Sequence, residues 1–334
     1  MSKNEWVLCI YTLITMTTPL SRALWHEKAD AVRLLLEHGA TPSDDAMLRA
    51  VLKKNLICLR LLIDYGGDVN AKYCYESLLH TACNNKASEL VYELFNRGAH
   101  LNNTKELLGA VRYGYTDVVR DGIKTCKPYK ADLNRLIHFA GNADIVDLLI
   151  SHGARVETNH NISTPLYDAV QRSDIEVARC LIKHGANVNR IYQEKPILHA
   201  AAHQRNYPLV YLLLDNGADI NAVNYCKSTI LHIACNDRYT NIDDIKTLLD
   251  RGVDTSISAC DYDGNSPIHF AITNHRYDIA SLLIDRGADV MLKNRHDISP
   301  IMILIADRAE GRIDTNALAR QLLADDSNPH HDKN

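Results

Sequence analysis

The sequence predicts an all-α solenoid of about ten stacked helix pairs with hairpin fingers. One complete unit of the pattern is the stretch 195–222, KPILHAAAHQRNYPLVYLLLDNGADINA. Pro196 suits the first turn of a helix, where an N–H group needs no partner. A second helix ends at Gly217, because glycine takes the left-handed conformation at a helix end without a steric penalty. An apolar stripe at helical spacing predicts this second helix: Leu209, Val210, Leu212, Leu213 and Leu214.

Helix-ending glycines recur along the chain with a period of about 33 residues. The widest gap, between Gly98 and Gly153, fits two short repeats from which one glycine has been lost. Ten repeats result, if a degenerate one around 107–126 and an incomplete last one from Ser299 are included. The glycines are Gly39, Gly66, Gly98, Gly153, Gly185, Gly217, Gly252 and Gly287, and helix openings in the same register begin at Thr18, Ser77, Thr164, Thr229, Ser266 and Ser299.

The opening motif, apolar stripe and terminal glycine together resemble the ankyrin repeat family over roughly residues 18–307. His199 stands where the family's Thr-Pro-Leu-His motif has its histidine. The resemblance implies antiparallel helix pairs that stack, because each pair has an apolar face that it cannot cover alone. We therefore expect a capping segment (1–17), a repeat array (18–307), and a C-terminal helix with a polar tail (308–334).

The section from Lys105 to Leu136 departs most from the repeat pattern. Gly122 falls inside a predicted helix, where it costs about 1 kcal/mol relative to alanine. Cys126-Lys127-Pro128 replaces the usual Gly-Ala ending, and Ile137 stands where a small alanine is expected. We expect local opening of the array to concentrate in this section.

Composition and charge exclude several classes of function. The 334 residues include 37 basic and 41 acidic side chains, and a net charge of −4 gives no electrostatic reason to expect nucleic acid. No run approaches the roughly 20 apolar residues of a membrane span. Residues 6–16 have the length of a signal-peptide core, but Glu5 interrupts the basic flank and favours a capping helix. Nine cysteines without a CxxC pair indicate reduced thiols, so we expect an intracellular, cytoplasmic protein. We also expect a monomer.

Sixteen histidines raise the question of a metal or catalytic site. The pairs His80/Cys83 and His232/Cys235 have a spacing that metal ligands use, but each falls on a packed helix face and lacks a second pair. Histidines at the motif position are expected to hydrogen-bond locally instead. No glycine-rich phosphate loop, G-x-S-x-G or H-E-x-x-H appears. We therefore expect no metal, no cofactor and no enzymatic activity.

The repeat register predicts which side chains stand at the finger tips. The finger tip lies nine residues before the small residue that closes each opening motif. It carries a large side chain at that position, whereas a tip in solvent usually carries Lys, Asp or Asn. Tyr and Arg are enriched at protein-binding hot spots. The alternative is that each tyrosine lies flat on the neighbouring finger. The tip residues are Tyr73, Tyr192, Tyr225, Tyr262, His160 and Arg295.

A second set of candidates lies two residues after the closing small residue, on the predicted concave face. These residues are Trp25, Arg112, Gln171, His203 and Asn236. Short repeats have lost about five residues of finger each, so a continuous finger row is predicted only from Asn159 to Asp297. The predicted partner-binding half is therefore the C-terminal one, with Trp25 as an additional candidate outside it.

These features predict a non-enzymatic scaffold that binds one protein partner through fingers and concave face. Phrases such as LLHTACNN and GADIN resemble ankyrin proteins of large DNA viruses, especially avian poxviruses, which implies a host regulatory protein as partner. Those proteins commonly end in an F-box-like segment, so an adaptor for a ubiquitin ligase is the main alternative. Here, 313–323 predicts one terminal helix without a Leu-Pro opening. An intracellular bacterial effector is the third possibility.

Overall fold

The structure is a computed structural model that describes residues 18–309, except residue 74, residues 159–162 and residues 253–256. The chain forms two compact units, residues 1–158 and 159–334, called here the N-terminal unit and the C-terminal unit. The predicted capping segment and the predicted terminal helix at 313–323 lie outside the described residues. Within the described part there are 19 α-helices, and none has both the length and the apolarity needed to span a bilayer.

The N-terminal unit consists of five helix pairs in which odd-numbered helices are inner and even-numbered helices are outer, counted over its described residues. Its elements are α1 (Pro19–Trp25), α2 (Ala29–Glu37), α3 (Asp44–Leu52), α4 (Leu56–Asp64), β1 (Lys72–Tyr73), β2 (Glu76–Ser77), α5 (Leu78–Asn84), α6 (Ser88–Asn96), α7 (Thr104–Arg112), α8 (Thr116–Cys126), α9 (Lys130–Leu136) and α10 (Ala143–Ser151). A 3₁₀ turn, Ile137–Phe139, follows α9. The strands β1 and β2 form an antiparallel hairpin in which Tyr73 pairs with Glu76.

The C-terminal unit continues the pattern with four helix pairs and, over the described residues, the inner helix of a fifth. Its elements are α11 (Pro165–Gln171), α12 (Ile175–Lys183), β3 (Ile191–Tyr192), β4 (Lys195–Pro196), α13 (Ile197–His203), α14 (Tyr207–Asp215), α15 (Ile230–Asn236), α16 (Ile242–Asp250), α17 (Pro267–Thr273), α18 (Tyr277–Asp285) and α19 (Pro300–Ala309). The prediction of an all-α repeat solenoid of about ten helix pairs is confirmed.

Helix starts and ends follow from the residues at the predicted positions. Thr18, Ser77 and Thr164 cap their helices by accepting a backbone N–H on the side-chain oxygen. Every glycine of the predicted series has a positive φ, between +86° and +101°, as a left-handed helix ending requires. The exception among the openings is Pro196, which occupies the N-cap position, so that α13 begins at Ile197.

The core of each unit lies between stacked inner helices and the outer helices behind them. In the N-terminal unit α1, α3, α5 and α7 pack in sequence, and in the C-terminal unit α11, α13, α15, α17 and α19 do the same. The closing residue of the motif is small because neighbouring inner helices approach closely there. These alanines are at most 1% exposed: Ala50, Ala82, Ala110, Ala169, Ala201, Ala234 and Ala271.

The motif histidines connect each repeat to the next one. His232 Nδ1 accepts from the backbone N–H of Thr229 at 3.1 Å, and its Nε2 donates to the Asn265 carbonyl of the following repeat at 3.1 Å. His269 bonds Ser266 and the Ile298 carbonyl in the same way. The predicted local hydrogen bond is therefore present, and a second bond between repeats accompanies it.

His199 differs from the other motif histidines because Pro196 replaces the capping Ser or Thr. Its Nε2 donates to the Ala222 carbonyl at 3.0 Å, but proline has neither an N–H group nor a hydroxyl to offer to Nδ1. Nδ1 of His199 is buried without a hydrogen-bond partner. Burial lowers the pKa of His199 to about 4, against the smaller effect of its Ala222 hydrogen bond.

Gly122, which the sequence predicts to weaken α8, has a close packing neighbour that the sequence did not indicate. It packs on inner helix α7, and a Cβ added at Gly122 would lie 2.4 Å from Cδ2 of the fully buried Leu107. The glycine is therefore a condition of close helix packing. The missing terminal glycine is replaced by Lys127, which takes the left-handed conformation itself with φ of 47°. Ile137 is fully buried where α9 gives way to the 3₁₀ turn.

We expect Gly122→Ala to lower the free energy of unfolding by about 1–3 kcal/mol, because overpacking against Leu107 outweighs the better helix propensity of alanine. Urea denaturation of the two proteins measures this difference. Lys124→Ala, at an exposed position of the same helix, is the control and should change stability little. A more stable Gly122→Ala protein would show that the glycine is a defect after all.

A second prediction concerns acid. His199 has a folded pKa of about 4 and an unfolded pKa near 6.5, so the unfolded chain binds the proton more tightly. Stability is full above pH 6.5 and is lost as the pH falls toward 4, by about 2 kcal/mol between pH 7 and pH 5. His199→Gln should lose about 2 kcal/mol less stability than the unaltered chain between pH 7 and pH 5. Equal pH dependence of the two proteins, measured by urea denaturation at both pH values, would contradict the prediction.

Candidate functional site

Three successive fingers of the C-terminal unit, those of Tyr225, Tyr262 and Arg295, are held by side-chain hydrogen bonds within each turn. Asn224 Oδ1 accepts from the backbone N–H groups of Cys226 and Ser228, at 2.9 and 3.0 Å. Asp261 and Asn294 make the same pair of bonds in the next two fingers. Such side-chain turns fix the loop without strands. Each tip therefore has a defined conformation before any partner binds.

Backbone hydrogen bonds also join successive tips. The N–H group of Tyr262 donates to the Cys226 carbonyl at 2.8 Å, and that of Arg295 donates to the Asp263 carbonyl at 2.9 Å. Three predicted tip residues, Tyr225, Tyr262 and Arg295, accordingly stand on consecutive connected fingers. These backbone hydrogen bonds fix the distance between neighbouring fingers, and with it the spacing of the three tip side chains.

The tyrosines at the tips have different surroundings. Tyr192, in β3, lies against Tyr167 of α11, with ring centroids 4.4 Å apart. Tyr225 is 58% exposed and Tyr262 is 54% exposed. The Tyr262 ring has the Lys227 ammonium nitrogen 5.6 Å from its centroid and the Arg295 guanidinium carbon 5.1 Å away. Tyr192 therefore packs on an inner helix and not flat on the neighbouring finger, whereas more than half of Tyr225 and of Tyr262 is exposed.

A groove of 480 Å³ runs between the finger of Tyr225 and the inner helices α13, α15 and α17. It brings together three of the predicted residues, Tyr225, His203 and Asn236. Its lining includes the apolar side chains of Ile233 and Phe270 and a larger number of amide, imidazole, phenol, hydroxyl and charged groups. The remaining lining residues are Lys195, Ala202, Arg205, Asn224, Cys226, Ser228, His232, Ile233, Asp237 and Phe270.

Charges on the groove wall come from residues that sequence reasoning missed. Arg205 Nε donates to Asp237 Oδ2 at 2.6 Å, and the guanidinium carbon lies 4.6 Å from the Tyr239 ring centroid. Partial burial and the nearby Lys195 ammonium lower the pKa of His203, while Asp237 acts in the opposite direction. His203 is therefore neutral at pH 7, with one ring nitrogen to donate and one to accept.

The other predicted residues lie elsewhere. Gln171 donates to the Tyr167 hydroxyl at 2.9 Å and accepts from Gln204 at 3.3 Å, so it belongs to the neighbouring repeat's inner face. Asn236, by contrast, lines the groove, and its amide oxygen accepts from Asn274 Nδ2 at 3.2 Å. Trp25, in the N-terminal unit, lies under the Lys53 ammonium at 4.3 Å. His160 lies outside the described residues.

The paired histidines and cysteines have structural roles in the described part of the chain. His80 Nδ1 contacts the Glu106 carbonyl at 3.1 Å and Nε2 contacts Asn84 at 2.9 Å. Both nitrogens of His232 are engaged as well. Burial raises the pKa of the Cys83 thiol to about 12, which keeps it protonated at neutral pH, and raises that of Cys235 too. Neither pair offers the free imidazole nitrogen and thiolate that a metal ion needs.

Stacked helix pairs with finger-lined inner faces define the chain as a helical repeat protein. A family model described as ankyrin repeats (3 copies) matches residues 107–192 and 197–294. The chain therefore belongs to the ankyrin repeat family, whose repeats form protein–protein interaction domains.

Two curated relatives match shorter stretches. The chain is similar to an ankyrin repeat and LEM domain-containing protein 1 homolog of Caenorhabditis elegans, with 38% identity over 65 residues, or 20% of this chain and 9% of that protein. It is also similar to the ankyrin repeat protein OPG189 of Monkeypox virus, with 30% identity over 83 residues, or 22% of this chain and 15% of that protein. The chain thus spans only a small part of the length of these relatives.

Proposed function

We propose that the chain is a non-enzymatic scaffold that holds one protein partner on the fingers and inner helices of its C-terminal unit. The observation that carries this proposal is the groove that Tyr225, His203 and Asn236 line together with Ile233 and Phe270. Exposed aromatic side chains with apolar and polar neighbours are typical of protein-binding hot spots.

The groove chemistry favours binding over catalysis. His232, which also lines the groove, has both ring nitrogens in hydrogen bonds, so it is not available as a general base. Arg205 and Asp237 pair with each other. The neutral His203 imidazole and the Asn236 amide nitrogen suit the backbone and side-chain hydrogen bonds of a peptide segment, while the Asn236 oxygen already accepts from Asn274.

We further propose that the scaffold acts as a monomer in the cytoplasm and that its partner is a host regulatory protein. The seven cysteines in the described part form no disulfide bonds, which fits a reducing compartment. The similarity to an ankyrin protein of Monkeypox virus supports a viral context. The adaptor hypothesis rests on 313–323, outside the described residues, and no observation here favours it.

The test uses the full chain with the partner that it captures from host-cell lysate. We expect Tyr225→Ala combined with His203→Ala to weaken binding by about 2 kcal/mol, a loss near thirty-fold, because both side chains reach the groove. Lys183→Ala combined with Lys246→Ala changes exposed outer helices of the same unit and should leave affinity within about twofold. Calorimetric titration measures both.

Two further variants separate binding from folding. Tyr192→Ala should reduce stability by about 1 kcal/mol through the lost Tyr167 contact, whereas Tyr225→Ala should not. Tyr73→Ala, in the N-terminal unit, should weaken binding by less than about 0.5 kcal/mol. Unchanged affinity in the Tyr225/His203 variant, with its stability intact, would rule out the groove as the binding site.

A further inference from the structure

The last described helix, α19, exposes apolar side chains at positions that other repeats bury. Ile305 follows Leu304, which closes the opening motif, and is 61% exposed. Met302, on the same helix, is 47% exposed. In the other inner helices, apart from the irregular α9, the position of Ile305 is at most 4% exposed and is occupied by Leu24, Val51, Cys83, Val111, Val170, Ala202, Cys235 and Ile272.

The neighbour that α19 lacks is an outer helix. The inner helices α11, α13, α15 and α17 each pack against the outer helix that follows them in the chain. On α17, Ile272 is fully buried at the position that corresponds to Ile305. Among the described residues no outer helix follows α19, so the side of α19 that carries Ile305 has no cover there.

The sequence after α19 contains the apolar pattern of an outer helix. Helix α18 buries two apolar pairs four residues apart, Ile279–Ala280 and Leu283–Ile284. Two apolar pairs with the same separation follow α19, Leu318–Ala319 and Leu322–Leu323. Thr315 lies three residues before the first pair, where α18 has its N-cap residue, and threonine is favoured at that position.

We propose that residues 316–324, called here the tail segment, dock on α19 as the outer helix of the last repeat. The tail segment overlaps the terminal helix predicted at 313–323 and lies outside the described residues. In this arrangement Leu318 and Leu322 cover Ile305, as Ile279 and Leu283 of α18 accompany the buried Ile272 of α17. The proposal concerns the end of the array and does not depend on the groove beside Tyr225.

The connection between α19 and the tail segment favours this occupant over a second copy of the chain. Residues 310–315 separate the two, and six extended residues span about 20 Å, whereas packed helix axes lie about 8–10 Å apart. A short flexible linker gives an effective concentration in the millimolar range. The few exposed side chains of α19 also fall well short of the roughly 1,000 Å² that a specific interface between two proteins buries.

Docking of the tail segment bears on the adaptor hypothesis. Its apolar pairs are then occupied within the chain and are not available to recruit another protein. Arg320 and Gln321 lie on the other sides of a helix with this pattern, so the end of the array acquires the polar surface that a terminal repeat needs.

The first test is hydrogen exchange of the α19 amides in the full chain. We expect Leu318→Asp with Leu322→Asp to speed this exchange roughly tenfold or more, because α19 loses its cover, and to leave α11–α17 unchanged. The matched control is Ala317→Asp with Ala324→Asp, which adds the same charge at positions where α18 carries the exposed Asp278 and Asp285. It should change the exchange of α19 by less than about twofold.

The second test identifies the occupant. A diazirine amino acid in place of Ile305 is activated by light in the full chain, and the adducts are mapped by mass spectrometry. We expect adducts with residues 316–324 of the same chain. Adducts between two chains, adducts with solvent alone, or equal exchange of α19 in the two paired variants would each overturn the proposal.

Discussion

The hydrogen bond from a motif imidazole to a carbonyl of the following repeat is the contact on which the array depends. His199, His232 and His269 each donate to the finger backbone of the next repeat, at 3.0 to 3.1 Å. The bond joins the inner helix of one repeat to the finger of the next, so the two cannot move independently. A buried carbonyl that lost this donor would cost about 1–3 kcal/mol. The stacked helices consequently hold the fingers in place, and with them the groove beside Tyr225.

Other polar side chains also link successive repeats. Asn189 donates to the Gly217 carbonyl at 2.9 Å and accepts from the Asp219 N–H at 2.7 Å, one repeat further on. At the outer face, Arg286 and Asp250 form an ion pair between successive repeats, at 2.6 Å. These links use side chains at fixed positions of the repeat. The residues at finger tips and turns can therefore differ from one repeat to the next without breaking the links. The tyrosine fingers of the C-terminal unit are one outcome of that freedom.

Much of the fold could be predicted from the sequence, because the signals are local. Gly217 and its counterparts end helices through a conformation that glycine alone takes easily, and their spacing gives the repeat. The register placed Tyr225 at a finger tip and His203 and Asn236 on an inner helix face, and the structure brings the three to one groove. Whether these residues bind a partner stays a prediction.

Contacts between repeats were harder to predict, because they depend on which rotamer meets which neighbour. Gly122 looked like a defect in isolation, and only the position of Leu107 shows why it is needed. Trp25 looked like a free anchor, but Lys53 covers its ring. The Arg205–Asp237 pair could have been found by comparing residues one repeat apart, since the two occupy adjacent turns.

We propose that a partner covers the groove of the C-terminal unit. Hydroxyl-radical footprinting of the full chain, alone and saturated with the captured partner, measures this directly. Tyr225 and His203 should be oxidised readily in the free chain and protected in the complex, while the 82% exposed Tyr129 of the N-terminal unit should react equally in both. Unchanged oxidation of Tyr225 and His203 in a saturated complex would contradict the claim.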